Sequence, residues 1–313
     1  MVRLRVTGPG LVATVVAVLA GAALAQSGSW RTAAPLPSSR TEVTGAMAGG
    51  RLFVIGGFGG GGEMVEAYDP KTDGWERRAP LPVSLHHAAA LGVGGRLYVV
   101  GGYSGLAWGV LDTVFEYDPA TDQWRPRAAL PTPRGALAAA VLDGQIYAVG
   151  GVGRDRRNSG AVEVFDPAAN RWDTRAPLLT PRDHHAAGVL DGKLYVVGGR
   201  LDGNYGRNLD ILEVYDPARN VWAAGPPLPT PRSGIAAVVL GRRLYVFGGE
   251  SPSGTFGQVE AYDPAAGRWL TLVPMPTPRH GLAAIAHEGR IHVISGGPRP
   301  GGTVSSTHEV FSP

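Results

Sequence analysis

Short apolar runs that end at paired glycines recur along the chain. Residues 96–100 (RLYVV) and 193–197 (KLYVV) combine β-branched and aromatic side chains and lead into Gly-Gly, which predicts a buried strand followed by a turn. The preceding run, such as Ala138 to Leu142, is small and apolar, and Asp143-Gly144 predicts a hairpin turn. Polar and apolar residues then alternate, as in 212–215 (LEVY), which is typical of a half-exposed strand. No helical periodicity is sustained after residue 25, so the pattern predicts an all-β fold.

One sequence unit is repeated six times along the chain. Its glycine pairs are spaced by 45, 49, 48, 50 and 48 residues, at Gly56/Gly57, Gly101/Gly102, Gly150/Gly151, Gly198/Gly199, Gly248/Gly249 and Gly296/Gly297. Tryptophans recur in phase, at Trp30, Trp75, Trp124, Trp172, Trp222 and Trp269, and an aromatic-Asp-Pro triplet precedes each of the last five by seven residues. Ten residues after each tryptophan stands Arg40, Leu85, Arg134, Arg182, Arg232 or Arg279. A period of this length is typical of propellers and other repeat arrays.

The arginine, the apolar run into Gly-Gly, the aromatic-Asp-Pro triplet and the tryptophan together resemble the Kelch repeat, over residues 30–313. The resemblance implies a six-bladed β-propeller of four-stranded blades. The chain opens with a lone tryptophan strand, residues 29–37, and ends at a sixth unit that lacks its own. We therefore expect the N-terminal strand to complete the last blade, which removes two exposed sheet edges. The recurrence of the five arginines predicts a scaffold role, and Leu85 marks a local specialisation.

The N-terminus predicts export. Arg3 and Arg5 precede an apolar stretch, and Ala23-Leu24-Ala25 is a small-residue cleavage site, so residues 1–25 are predicted to be a signal peptide and residues 26–313 the propeller. An uncleaved anchor is the alternative, but the fifteen residues from Leu11 to Ala25 are fewer than the roughly 20 that span a bilayer. We expect a secreted or periplasmic protein without a membrane span after cleavage. The chain has no cysteine, and a large closed β domain does not need disulfides.

The charge balance gives no sign of a nucleic-acid partner. Cleavage removes two arginines and no acidic residue, which leaves 27 basic and 26 acidic side chains and a net charge of +1. Long basic runs and stripes of aromatic and basic residues are both missing from the sequence. We expect a monomer that binds neither DNA nor RNA.

Candidate functional positions lie on the loops of one face, since the stretch after Gly-Gly varies in length while the other spacings are constant. The resemblance implies that two sets line a shared pocket: the residue after each Gly-Gly (Phe58, Tyr103, Val152, Arg200, Glu250 and Pro298) and the two residues after each repeat arginine position. The candidate ligand-binding residues are Glu42, Phe58, His86, His87, Tyr103, Asp183, His184, Arg200, Glu250 and His280. Loop residues Asp202, Asn204, Tyr205, Asn208 and Asp210 either bind a sugar or form an ordinary surface turn.

The chemistry of these candidates leaves several interpretations open. The histidines can hold a metal, shuttle protons, bind a sugar or simply line the channel. No His-Glu-x-x-His spacing is present, so we assign no metal and no cofactor. Glu250, Arg200 and His184 are the catalytic candidates, because an arginine can clamp a carboxylate and a glutamate can move a proton. The alternative for Arg200 and Glu250 is a salt bridge that stabilises two loops.

Two functions remain. The first is an exported binding module that presents its loop-lined central pocket to a protein or glycan. The second is a cofactor-free carbohydrate-active enzyme that uses histidine and glutamate as acid and base, and the resemblance to exported bacterial Kelch proteins allows a sialic-acid mutarotase or epimerase. The copper radical oxidases built on such propellers need a cysteine cross-linked to a tyrosine, and this chain has no cysteine.

Overall fold

Six four-stranded antiparallel sheets make up the fold of the computed structural model, which describes residues 27–313. The predicted signal peptide, residues 1–25, lies outside the described residues. Blade 1 comprises β2 (Thr44–Ala48), β3 (Arg51–Ile55), β4 (Val65–Asp69) and β5 (Gly74–Arg77). Blade 2 comprises β6 (Ala89–Val93), β7 (Arg96–Val100), β10 (Val114–Asp118) and β11 (Gln123–Pro126). Blade 3 comprises β12 (Ala138–Leu142), β13 (Gln145–Val149), β14 (Val162–Asp166) and β15 (Arg171–Arg175).

The remaining blades repeat this meander. Blade 4 comprises β16 (Ala186–Leu190), β17 (Lys193–Val197), β20 (Leu212–Asp216) and β21 (Val221–Ala224). Blade 5 comprises β22 (Ala236–Leu240), β23 (Arg243–Phe247), β26 (Val259–Asp263) and β27 (Arg268–Leu272). Blade 6 comprises β28 (Ala283–His287), β29 (Arg290–Ile294), β30 (His308–Ser312) and β1 (Ser29–Thr32). The first strands of neighbouring blades lie side by side around the axis, and β28 lies beside β2. The predicted all-β, six-bladed propeller is confirmed.

Three short hairpins add to the variable loops of one face. They are β8 (Tyr103–Ser104) with β9 (Gly109–Val110), β18 (Arg200–Leu201) with β19 (Asn204–Asn208), and β24 (Glu250–Ser251) with β25 (Gly254–Thr255). Each hairpin begins at the residue that follows a glycine pair, in blades 2, 4 and 5. Across residues 27–313, the chain forms no helix with the length and apolar character needed to cross a membrane.

The N-terminal strand closes the ring, as predicted. Strand β1 pairs with β30 in antiparallel register, with Trp30 opposite Phe311. The Trp30 ring lies 4.9 Å from that of Phe311 and 6.1 Å from that of Phe247 in blade 5. Blade 6 therefore has no unpaired outer edge at β30, and the two ends of the described chain hold each other in one sheet.

The core lies between blades, and the repeat tryptophans connect each blade to the one before it. In every blade the indole N–H donates to the backbone carbonyl four residues after the preceding tryptophan, at 2.8–3.1 Å. Apolar side chains of adjacent blades pack together beneath this bond, for example Val149 of blade 3 against Leu194 and Tyr215 of blade 4. The constant spacing of the tryptophans thus reflects an interaction made once per blade boundary.

The repeat arginines are fully buried and bond within their own blade. Arg232 donates to the carbonyls of Gly248, Val246 and Thr230, and it pairs with the buried carboxylate of Glu260. Equivalent pairs occur in four other blades, namely Arg40–Glu66, Arg134–Glu163, Arg182–Glu213 and Arg279–Glu309. The expected scaffold role is confirmed, because these arginines satisfy strand carbonyls that have no water to bond.

The glycine pairs allow adjacent blades to approach closely. The first glycine has a φ of 61–65° in blades 1–5, and a Cβ there would lie 2.3–3.0 Å from the carbonyl oxygen of the repeat arginine position in the next blade. The second glycine donates its N–H to that same carbonyl in every blade. In blades 1–5 the first position therefore needs both a positive φ and the lack of a side chain.

In blade 6 the equivalent pair is Ser295-Gly296, one residue earlier than the sequence pattern indicates. Ser295 has a φ of 64°, and its Oγ donates to the Arg40 carbonyl at 2.6 Å, which compensates for the crowding. Arg279 donates to the Ser295 carbonyl just as Arg40, Arg182 and Arg232 donate to the carbonyl of the first glycine in their blades. The position after the pair is therefore Gly297, and the assignment of Pro298 to it was wrong.

Candidate functional site

Both predicted sets of loop residues meet at one mouth of the central channel. In each blade the residue after the repeat arginine position forms a backbone bridge with the residue after the glycine pair. These bridges are Thr41–Phe58, His86–Tyr103, Gly135–Val152, Asp183–Arg200, Ser233–Glu250 and His280–Gly297. The repeat itself therefore places two residues per blade at the same rim, and blade-to-blade differences in their identity create the site.

A ring of left-handed residues surrounds the channel just below this rim. The residue two places after each repeat arginine position has a φ of 51–65°: Glu42, His87, Ala136, His184, Gly234 and Gly281. Their backbones bond in sequence around the axis, and Val43 N–H closes the ring by donating to the Gly281 carbonyl. Of these six residues, only Glu42, His87 and His184 have polar side chains. The left-handed conformation costs a non-glycine residue of order 1 kcal/mol, and residues that adopt it are concentrated at functional sites.

A buried polar network joins blades 4 and 5. Arg200 donates to Glu250 Oε1 at 2.7 Å and to Asp183 Oδ1 at 3.3 Å, and its other terminal nitrogen lies 2.7 Å from His184 Nε2. An arginine nitrogen can only donate, so His184 Nε2 accepts this bond. The proton on the other ring nitrogen, Nδ1, is directed to Asp183 Oδ1 at 2.5 Å. Arg200 and Glu250 thus form the predicted interblade pair, and Asp183 orients His184.

Burial and hydrogen bonding act in opposite directions on the two carboxylates of this network. Burial favours the neutral form of Asp183, but bonds from His184 and Asn158 and the charge of Arg200 hold its pKa well below the usual range. Burial likewise acts against the ionised form of Glu250, yet its electrostatic interaction with His280, the N–H of Gly301 and Arg200 together lower its pKa. Both side chains are therefore acceptors at neutral pH.

A second group links blades 1, 2 and 6. Glu42 Oε1 lies 3.4 Å from His280 Nε2, and Glu42 Oε2 lies 3.2 Å from His87 Nε2. His280 Nε2 is also 3.5 Å from Glu250 Oε2, which joins this group to the network of blades 4 and 5. Burial and the neighbouring His184, His86 and Arg200 lower the pKa of His87 well below its usual value, so its imidazole is neutral at pH 7.

Aromatic side chains form one wall of the mouth. Phe58 packs on His86 with ring centroids 4.0 Å apart, and Trp108 lies 5.8 Å from Phe58 and 5.1 Å from Tyr103. Trp108 belongs to the turn between β8 and β9 and is 46% exposed, so its face is available to a ligand. Burial lowers the pKa of His86 to about 4 and raises that of Tyr103, so both are uncharged at neutral pH.

A cavity of about 500 Å³ occupies this mouth. Its lining residues are Glu42, Phe58, His87, Leu106, Trp108, Arg200, Gly203, Tyr205, Glu250, His280, Gly301 and Gly302. A cavity of about 90 Å³ shares Glu42 and His87 with it and is lined also by His184 and His185. Six of the candidate residues thus line the larger cavity, His184 lines the smaller one, and His86, Tyr103 and Asp183 support the lining residues from behind.

The repeat pattern did not identify several of the residues that line the cavity. Leu106, Trp108, Gly203, Gly301 and Gly302 lie in the variable loops rather than at repeat positions. Trp108 carried a usable signal, because six of the seven tryptophans follow the repeat and Trp108 is the one out of phase. Tyr205 was named as a possible sugar contact, and it lies in the cavity wall with the Arg200 guanidinium 5.6 Å from its ring centre.

Among the described residues, two sets of three side chains bring possible metal ligands within 4.8 Å of one another. One set is Glu42, His87 and His184, and the other is Glu42, Glu250 and His280. Both share Glu42, which lies between the two cavities. The arrangement thus offers hydrogen-bonding groups, paired carboxylates and imidazole nitrogens at the floor of an aromatic-walled pocket.

Comparisons with known proteins identify the repeat. The family model described as KLHDC2/KLHL20/DRC7 Kelch-repeats domain matches residues 25–199 and 138–312. A solved structure titled "Structure of YjhT" superposes with a TM-score of 0.78 over 88% of this chain and 95% of that one, at 17% sequence identity. At that identity the likeness shows the fold alone. No curated protein matches the chain.

Proposed function

The chain belongs to the Kelch-repeat family, and from the cavity on its loop face we propose that it is an exported glycan-binding propeller. One observation carries the proposal: the cavity combines an aromatic wall with a dense set of hydrogen-bonding side chains on its floor. Phe58, Trp108 and Tyr205 supply flat apolar surface, while Glu42, Arg200 and Glu250 supply donors and acceptors. A sugar ring presents both kinds of surface, with apolar C–H faces and hydroxyl edges.

The size and rigidity of the pocket support a small ligand over a protein surface. About 500 Å³ lies within the usual range of small-molecule pockets, roughly 300–1,000 Å³. The floor residues extend from the backbone ring and from the backbone bridge within each blade, so they are held before any ligand arrives. Preorganised hydrogen-bonding groups reduce the ordering cost of binding.

The charge of the floor favours a neutral sugar over an acidic one. Arg200 already bonds to Glu250 and Asp183, so its charge is committed to two carboxylates. Glu42 adds a further acidic side chain to the lining. A sialic or uronic acid would place its carboxylate beside these carboxylates, and like charges at short range are unfavourable.

Direct binding measurements test the proposal. Calorimetric titration and thermal shift with neutral hexoses and oligosaccharides, uronic acids and sialic acids should show saturable binding of a neutral sugar. Trp108→Ala and Phe58→Ala should weaken it by roughly 5-fold or more, since loss of one stacked aromatic costs on the order of 1–3 kcal/mol. Leu179→Ala, which removes an exposed apolar side chain outside the pocket, is the matched control. Absence of binding to every sugar, together with capture of a protein ligand that depends on Trp108, would contradict the proposal.

A carbohydrate-active enzyme is the second candidate, and the two carboxylates favour it. Oxygens of Glu42 and Glu250 lie within 4.8 Å of each other on the cavity floor, where a pair of acid and base groups can reach one sugar carbon. Exchange NMR with substoichiometric protein would detect faster interconversion of sugar anomers. Loss of that rate in Glu250→Gln with sugar affinity retained would establish catalysis, whereas unchanged anomer exchange with the wild type leaves binding as the function.

Export is part of the same proposal and rests on residues 1–25, whose charged, apolar and small-residue regions are those of a signal peptide. Expression of the full chain in a bacterium should yield a product that begins at Gln26 in the periplasm or medium, as read by mass spectrometry. A cytoplasmic product that retains Met1 would contradict export without affecting the glycan site.

A further inference from the structure

His280 presents a buried nitrogen that has no hydrogen-bond partner among the described residues. The side chain is 1% exposed, and its Nδ1 lies 3.1 Å from the Gly297 carbonyl, which can only accept. Nδ1 therefore carries a proton, and in the neutral imidazole Nε2 presents a lone pair. That lone pair faces two carboxylate oxygens, Glu42 Oε1 at 3.4 Å and Glu250 Oε2 at 3.5 Å. Three acceptors directed at one point are unfavourable unless a cation lies between them.

The two distances from His280 Nε2 to the carboxylate oxygens match the distances between ligands of a small metal ion. Nitrogen and oxygen ligands bound to a tetrahedral Zn²⁺ at about 2.0–2.2 Å lie about 3.3–3.5 Å from one another. The two measured distances from His280 Nε2 agree with this value, and all ligand atoms of the set lie within 4.8 Å of one another. We propose that Glu42, Glu250 and His280 form a divalent transition-metal site at the floor of the pocket.

The surroundings hold these three ligands in place. The Gly297 carbonyl orients the His280 ring, as outer partners of metal-bound histidines commonly do. Arg200 donates to Glu250 Oε1, and the Gly301 N–H donates to Glu250 Oε2. Oε2 keeps a second lone pair that can bind a metal. All three ligand residues line the larger cavity, so the remaining coordination position opens toward it. A site with three protein ligands and one open position is typical of metals that bind a water or a substrate group.

The alternative set of ligands is unsuitable because of Arg200. Glu42, His87 and His184 also approach one another, but His184 Nε2 accepts a hydrogen bond from Arg200 at 2.7 Å. This bond occupies the lone pair that His184 Nε2 would need to bind a metal, whereas Glu250 Oε2 is not hydrogen-bonded to Arg200. The site therefore uses His280, and His184 stays within the network of Asp183 and Arg200.

The charge of the site matches a divalent ion. Asp183, Glu42 and Glu250 carry three negative charges within one connected network, and Arg200 contributes the single permanent positive charge. A divalent cation neutralises the remainder. One imidazole among the ligands favours Zn²⁺ over Ca²⁺ and Mg²⁺, which prefer oxygen alone. The competing arrangement is an imidazolium at His280 that bridges the two carboxylates without any metal.

Metal titration of the full chain distinguishes the two arrangements. Chelator-stripped protein is titrated with Zn²⁺, Mn²⁺ and Mg²⁺ by calorimetry in the absence of any sugar, and Co²⁺ absorption reports the coordination geometry. The metal site predicts one equivalent of bound Zn²⁺ and weaker binding of Mg²⁺. Glu42→Gln, Glu250→Gln and His280→Gln should each lower Zn²⁺ affinity by at least about 100-fold, more than loss of an outer partner costs.

His287→Gln is the matched control, because His287 also has a carboxylate nearby, Glu288 at 3.8 Å, but lies outside the pocket. Its Zn²⁺ affinity should equal that of the wild type. Should His280→Gln fail to fold, Glu42→Gln supplies the test, since Glu42 is the most exposed of the three ligands at 12%. Wild-type protein that binds no Zn²⁺, or binds it equally well after Glu42→Gln, overturns the inference. Because no sugar is present, either result leaves the glycan proposal untouched.

Discussion

Leu85 and Phe115 occupy, in blade 2, the two positions at which the other five blades carry a buried arginine and its glutamate. Leu85 stands ten residues after Trp75, and Phe115 stands two residues before Tyr117, where the other blades have Glu66, Glu163, Glu213, Glu260 or Glu309. Both side chains are buried in the same apolar cluster. The exchange of both partners leaves no unpaired charge, and an apolar pair often replaces a buried ion pair at little cost.

Removal of only one partner should be far more damaging than removal of both. Arg134→Leu leaves Glu163 buried and unpaired, and we expect a loss of about 3–5 kcal/mol in the free energy of unfolding. The double variant Arg134→Leu/Glu163→Phe, which copies blade 2, should recover at least half of that loss. Urea unfolding of the single and double variants measures both effects. Arg207→Leu, at an exposed pair with Asp202, should cost less than about 1 kcal/mol.

Trp30 should contribute strongly to stability because it closes the ring. Trp30→Ala removes its packing on Phe311 and Phe247 and its bond to the Val273 carbonyl, so we expect a loss of about 3–5 kcal/mol and a lower Tm. Trp108→Ala removes the same side chain from the pocket rim and should leave the Tm nearly unchanged. An equal effect of the two substitutions in differential scanning calorimetry would rule out closure by β1.

Stability should fall on acidification, and two buried histidines near the ring closure should contribute. His292 Nδ1 lies 2.9 Å from His308 Nε2, and His308 Nδ1 donates to the Ala34 carbonyl. Burial lowers the pKa of His308 to about 4, against the opposing effects of Ala34 and Asp73. Burial, His308 and Arg31 lower that of His292 to about 3.

The unfolded chain therefore binds more protons than the folded one between about pH 6.5 and 4, so the free energy of unfolding rises with pH across that window. This contribution to stability is lost as the pH falls from about 6.5 to 4. His308→Asn keeps a donor for Ala34 but removes one titrating group, and the slope should decrease by roughly 1.4 kcal/mol per pH unit. Urea titrations at pH 4.5, 5.5, 6.5 and 7.5 measure the slope of the free energy of unfolding against pH for the wild type and the variant. An unchanged slope in the variant would show that His308 does not titrate in this way.

Ala136 should be a site at which glycine stabilises the protein. It adopts a φ of 52° in the ring of left-handed residues, where Gly234 and Gly281 occupy the equivalent positions in blades 5 and 6. Ala136→Gly should raise the free energy of unfolding by up to about 1 kcal/mol, because glycine adopts this conformation without strain. Ala138→Gly, two residues later in β12, should lower it by about 0.5–1 kcal/mol. A destabilised Ala136→Gly variant would show that the methyl group outweighs the strain.

Repetition made much of the fold predictable. The tryptophan, the glycine pair and the arginine each make an interaction that recurs at every blade boundary or in almost every blade, so their phase in the sequence reports the architecture directly. The register of the last unit was the exception. Ser295 replaces the first glycine and bonds to Arg40, a compensation that no local pattern reveals because the two residues are far apart in the chain.

The candidate site was predictable to the extent that it lies at repeat positions. Glu42, Phe58, His87, Arg200, Glu250 and His280 were found because the repeat carries each to the rim. Trp108 and Gly301 were missed because variable loops have no fixed phase from which to infer their place.

The sequence by itself determined the number of blades, the strand that closes them and the face on which the candidate site lies, since all three follow from the spacing of residues that repeat. Only the tertiary structure decided how the side chains that break the repeat combine. His280 Nε2 lies between Glu42 and Glu250, which come from blades 1 and 5, and Leu85 shares a core with Phe115. Glu42, Glu250 and His280 meet because the ring closes on itself, and no interval along the chain encodes the distances between them.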